Sequence, residues 1–160
     1  MPKQAKQKTG FTLIEIIVVL AIFSIILTLV ISPFHEFRQN KLLIDSAEII
    51  VSTLRTARAN TLSAEADNQY GVLFESKQLI IFPGSEYSPE VMENQIIHLP
   101  QGVLIKQIDL NNGGQEVFFN RLIGTPSTIG VITLGFEGEI DKSQLIKISA
   151  NGIIEVIRNE

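Results

Sequence analysis

The chain has no cysteine and no tryptophan, and its 160 residues include only two histidines and two tyrosines. Without cysteine there are no disulfides, no thiol nucleophile and no cysteine-based metal site. The two histidines, His35 and His98, stand far apart and lack Cys, Asp or Glu partners at ligand spacing, so neither is expected to bind metal or to act in catalysis. Ser and Thr are plentiful, yet no Gly-x-Ser-x-Gly elbow accompanies them. The run Asp109-Leu110-Asn111-Asn112-Gly113 opens like a calcium loop, but its fifth position is glycine and the ligand series stops there, which predicts a glycine-rich turn. No catalytic residue, metal or cofactor is therefore expected. Cations are also in deficit, with 13 Lys and Arg against 17 Asp and Glu and a formal net charge of −4. Nucleic acid is not an expected partner of such a chain, because phosphate binding relies on Lys and Arg.

What the chain does have is one long apolar run, from Phe11 to Ile31, interrupted by a single charge at Glu15. Its length matches the roughly 20 apolar residues that a helix needs to cross a bilayer. The other polar side chains in the run are Thr12, Ser24 and Thr28, whose hydroxyls can bond back to helix carbonyls. Lys3, Lys6 and Lys8 precede the run, and the positive-inside rule places that end in the cytoplasm and the remainder across the membrane. A carboxylate near the end of such a span is costly, which marks Glu15 as a candidate functional residue.

Read together, Lys8-Thr9-Gly10-Phe11-Thr12-Leu13-Ile14-Glu15 resembles the class III signal of type IV pilins and their pseudopilin relatives. The resemblance implies that a membrane-embedded prepilin peptidase cuts between Gly10 and Phe11, removes the leader 1–10 and N-methylates Phe11. It also implies that Glu15 serves assembly, neutralising the terminal ammonium of a neighbouring subunit. An unpaired buried ion is strongly penalised, so such a pair would set register between helices. The implied partners are the peptidase, other pilins or pseudopilins, the inner-membrane assembly platform, and membrane lipid before assembly. Loss of the three leader lysines leaves 10 basic against 17 acidic side chains, a charge of −7. An ordinary signal anchor explains the lysines and the span, but not Gly-Phe-Thr-Leu-Ile-Glu as a unit. Many major pilins close their C-terminal region with a disulfide, so the lack of cysteine points towards a pseudopilin or minor pilin.

Beyond the span, the helix is expected to continue to about residue 62, with a kink at Pro33 where a backbone hydrogen bond is lost. Leu43, Ala47, Ile50, Leu54, Ala57 and Thr61 recur at steps of four and three, which predicts one apolar stripe. Residues 63–160 form the expected globular head, beginning with a polar linker over 63–69. Short β-rich runs follow at 70–75, 78–82, 95–99, 103–108, 116–119, 128–136, 145–150 and 153–157. The Asn151-Gly152 pair between the last two predicts a two-residue hairpin turn with both residues at φ > 0. The acidic loop from Gly84 to Glu93 is expected to be exposed. The fold class is thus α+β, a long N-terminal helix, transmembrane over 11–31, packed on an antiparallel β-sandwich-like head. This order of parts resembles the H-type pseudopilin and FimT-like minor pilin group. The implied function is a structural subunit of a type IV pilus-like or type II secretion filament, first in the cytoplasmic membrane and then in an extracytoplasmic fibre. The alternative is a DNA- or surface-binding minor pilin at the pilus tip.

Overall fold

The computed structural model describes residues 10–63, 68–139 and 142–157, with the side chains at 29–33 and 35 outside that description. One α-helix, α1, runs from Leu13 to Ser63. Among the described residues eight strands follow: β1 Tyr70–Phe74, β2 Gln78–Pro83, β3 Gln95–His98, β4 Val103–Leu110, β5 Glu116–Phe118, β6 Gly130–Phe136, β7 Ser143–Ile148 and β8 Ile154–Ile157. The chain divides into two compact units, Met1–Gln39 and Asn40–Glu160.

In the first unit, every described side chain from Leu13 to Thr28 is exposed. These side chains are apolar in all directions around the helix, apart from Glu15 and the two hydroxyls. Ser24 and Thr28 donate to the carbonyls of Leu20 and Ser24 at 2.8 and 2.9 Å, so neither hydroxyl is left without a partner on an apolar rod. Among the described residues no helix is long and apolar enough to cross a membrane. The described side chains of the run stop at Thr28, and those that would complete it lie in 29–33.

In the second unit, α1 from residue 40 onwards presents its apolar stripe to the head. Leu43, Ala47, Ile50, Leu54, Ala57 and Thr61 are all buried, so the stripe read from spacing is the core-facing one. Val51, Ser46 and Thr53 widen it. The buried hydroxyls of Ser46, Thr53 and Thr61 donate to their own helix, to the carbonyls of Leu42, Ile49 and Ala57. Thr61 Oγ1 also accepts the Tyr70 N–H at 2.9 Å, which ties the start of β1 to the end of the helix.

The strands form two antiparallel four-stranded sheets, ordered β3-β2-β1-β5 and β4-β6-β7-β8. Both contribute to one core with the helix: Val72, Phe74 and Val117 from the first, Ile132, Leu134 and Ile146 from the second. The long edge strand β4 carries a bulge between Ile105 and Gln107, which interrupts an otherwise open edge. Lys106 there reaches across Gly135 to donate to the Glu139 carbonyl.

Two local expectations are corrected. The turn between β7 and β8 is not a two-residue type I′ turn, since only Gly152 has a left-handed φ, +77°. Gly152 N–H donates to the Ser149 carbonyl and Ser149 N–H to the Ile153 carbonyl, at 2.9 and 3.0 Å. This is a type I turn closed by a left-handed glycine, and it needs only one residue at positive φ. The loop after β2 is exposed at Glu86, Glu90 and Glu93, but not at Tyr87. That ring meets Phe82 edge-on, with centroids 5.8 Å apart, and the Tyr87 N–H donates to Glu116 Oε2.

Candidate functional site at the start of the long helix

The helix begins at Leu13 because Thr12 caps it. Thr12 Oγ1 accepts the Glu15 N–H at 3.3 Å, and the Thr12 carbonyl accepts the Ile16 N–H at 3.3 Å. A capping hydroxyl satisfies one of the four N–H groups that every helix start leaves open. Thr12-Leu13-Ile14-Glu15 is thus a Thr-x-x-Glu sequence with its threonine at the cap and its glutamate at the third helical position. The expectation for Thr12 was a hydroxyl bonded back to a helix carbonyl. Its place ahead of the first turn gives it no such carbonyl, and it accepts from the turn that follows. The Thr-x-x-Glu spacing was the signal for this role.

Glu15 lies exposed in the first turn, where the unpaired N–H groups at a helix start favour a carboxylate. Phe11 and Leu13 are 81% and 78% exposed, so Gly10, Phe11 and Thr12 form an accessible non-helical lead into the helix. A Cβ built on Gly10 meets no described residue within 4 Å, and its φ is not in the left-handed region. The described residues therefore give no reason for a glycine there. The lysines of the leader lie outside the described residues.

The remaining candidates are dispersed. The helical backbone continues through position 33, where a kink was expected, with the Pro33 and His35 side chains outside the description. His98 is exposed on the edge strand β3. Among the described residues no three His, Asp or Glu side chains gather as a metal group. Asn111 Oδ1, the second oxygen of the calcium-like run, accepts the Ile129 N–H at 3.2 Å, and Gly114 N–H bonds Asn112 Oδ1 at 3.0 Å.

Arg55 and Arg58 lie off the apolar stripe, Arg55 exposed and Arg58 half-buried, and both donate to backbone of the head. Arg58 Nε donates to the Gly124 carbonyl at 2.8 Å and its Nη1 to the Gly152 carbonyl at 3.3 Å. Arg55 Nη2 reaches the Ile154 carbonyl at 3.5 Å. No local pattern announced these contacts, since their acceptors lie 66 to 99 residues away.

Residues 5–31 match the model of the prokaryotic N-terminal methylation motif. The structure is similar to the crystal structure of the type IV minor pilin FimU of Pseudomonas aeruginosa strain PAO1. In its P21 form the TM-score is 0.58 at 17% identity, over 76% of this chain and 92% of that one. In the P65 form the TM-score is 0.54 at 18% identity, over 72% and 93%. The fold of this chain is thus shared with a solved type IV minor pilin. No curated protein matches the chain in sequence. The described part of the matched segment begins at the capped, exposed start of the helix.

Proposed function

We propose that this protein is a structural subunit, a minor pilin or pseudopilin, of a type IV pilus-like filament. The carrying observation is the helix of the first unit, apolar all round and exposed all round from Leu13 to Thr28. A helix with that surface belongs in lipid or among other helices, and among the described residues nothing covers it. The reading assigns it first to the cytoplasmic membrane, as a single span over 11–31 with the head outside, and then to a bundle of like helices in a fibre. Prepilin peptidase would cut between Gly10 and Phe11 and methylate the new terminus. The accessible segment there and a glycine without a role among the described residues support that cut. Glu15 would then meet the terminal ammonium of a neighbouring subunit. The tip receptor for DNA is less well supported, because Arg55 and Arg58 are engaged on backbone carbonyls.

The test is intact and N-terminal peptide mass spectrometry on cells with and without the peptidase. A chain starting at N-methylated Phe11, seen only with the peptidase, is the expected result. Retention of Met1–Gly10 in both would make 11–31 a plain anchor and end the filament reading.

A further inference from the structure

The sequence contains two Asn-Gly pairs, Asn112-Gly113 and Asn151-Gly152, and the head folds both into the same local turn. Gly113 N–H donates to the Leu110 carbonyl at 2.8 Å, and Gly152 N–H donates to the Ser149 carbonyl at 2.9 Å. Each glycine is left-handed, with φ of +68° and +77°. Each asparagine side chain accepts from the residue after its glycine. Asn112 Oδ1 takes Gly114 N–H at 3.0 Å, and Asn151 Oδ1 takes Ile153 N–H at 3.1 Å. Both asparagines are exposed.

An Asn-Gly pair can modify itself. The glycine nitrogen attacks the asparagine Cγ, forming a C–N bond while its proton passes to solvent. The Cγ–Nδ2 bond then breaks and ammonia leaves with a proton from water, closing a succinimide. Water opens that ring to aspartate or isoaspartate. Glycine favours the attack because no Cβ shields its nitrogen and its backbone turns freely. The N–H that bonds Oδ1 also stabilises the oxyanion formed on the way. In these turns the attacking nitrogen is held by a carbonyl three residues back, so attack requires the turn to open. What holds each turn therefore sets its rate.

The two turns are held differently. Gly152 is buried, and a Cβ there would lie 3.0 Å from the Gly124 carbonyl oxygen and 3.1 Å from Arg58 Cζ. Arg58 Nη1 donates to the Gly152 carbonyl at 3.3 Å, and Ser149 N–H donates to the Ile153 carbonyl at 3.0 Å. That turn cannot open without parting from the helix. Gly113 is exposed, and a Cβ there meets no described residue within 4 Å. The chain is anchored on either side of it, by Asn111 on Ile129 and by Gln115 on Phe74. Among the described residues, the hydrogen bonds of Asn112, Gly113 and Gly114 run only to one another and to Leu110.

We propose that Asn112 is a site of self-modification, converted through a succinimide to aspartate and isoaspartate, while Arg58 and the packing of Gly152 keep Asn151 as asparagine. The product adds a carboxylate three residues from Asp109. Its isoaspartate form also adds a carbon to the backbone between β4 and β5. Aged heads thus gain negative charge at one exposed turn. This chemistry is independent of the filament-subunit reading.

The full-length protein in detergent is incubated in mildly alkaline buffer made with heavy-oxygen water, then digested with pepsin in acid. Peptide mass spectrometry reads the label gained at each asparagine, and electron-transfer fragmentation identifies isoaspartate. Label is expected at Asn112 at least about tenfold faster than at Asn151, the scale on which a charge-assisted hydrogen bond shifts a local opening. In denaturing urea the two rates are expected to converge, since the dipeptide is the same. Arg58→Ala is expected to speed Asn151 at least about threefold and to leave Asn112 as it was. The native and urea rates need no substitution, so they decide even where Arg58→Ala weakens the fold. No label at Asn112, equal native rates, a faster Asn151, or a ratio that persists in urea would each overturn the proposal. So would an Asn151 rate unmoved by Arg58→Ala.

Discussion

Gly10 and Gly130 stand as glycine for opposite reasons, and the difference can be measured. At Gly130 a Cβ would lie 2.0 Å from the Asp109 carbonyl oxygen of the paired strand, so backbone would have to move. Gly130→Ala is expected to destabilise the head by about 2 kcal/mol, the scale of overpacking in a tight site. A denaturation midpoint equal to wild type would refute that. At Gly10 no described residue comes within 4 Å of a Cβ, so Gly10→Val should leave the melting of the head unchanged while abolishing processing. Normal cleavage of Gly10→Val, read by N-terminal mass, would show that the glycine is dispensable. Arg58 is the residue whose role local spacing shows least. It donates to two carbonyls, of Gly124 and Gly152, on two turns that pack on the helix end. Arg58→Ala should cost about 2 kcal/mol, since it leaves two carbonyls without their charged donor. Arg58→Lys should recover no more than part of this, because an ammonium lacks the planar fork. Full recovery by lysine would argue for charge alone.

At the scale of elements, the first turn of α1 is set by Thr12. Thr12→Ala should loosen the helix start by about 1 kcal/mol, the usual effect of a lost N-cap, while Thr12→Ser keeps it. Amide exchange at Leu13 to Ile16 in detergent micelles reads this directly, and equal protection in both variants would remove the cap from the account. The stripe from Leu43 to Thr61 and the eight strands were legible in the sequence. Their apolar periods are strong, and Pro83-Gly84, Pro100-Gln101-Gly102 and Asn151-Gly152 punctuate them. The order of the strands was not legible. β5 returns to pair with β1 and β4 leaves to pair with β6, choices made by partners 20 to 47 residues apart. The strap over Phe82 escaped for the same reason, because Tyr87 is held by Glu116 from a distant strand.

At the scale of the molecule, the described side chains from Leu13 to Thr28 are exposed, and on the proposed reading assembly covers them. If Glu15 pairs with a neighbour's terminus, Glu15→Ala should still be cut at Gly10 but fail to enter filaments. Incorporation of that variant at the wild-type level, measured in sheared filament fractions, would remove the pairing role. By itself, the sequence determined the α+β class, the long N-terminal helix with its apolar stripe and, among the described residues, the places of the strands. Those features depend on residues close along the chain: a Gly-Phe-Thr-Leu-Ile-Glu unit, a 3.6-residue period and turn residues between β-rich runs. Only the tertiary structure decided which strands pair, that Arg58 holds two distant turns, and that Tyr87 is tucked against Phe82 and Glu116. Each of these is a contact between residues remote in sequence, and such contacts depend on how the whole chain packs.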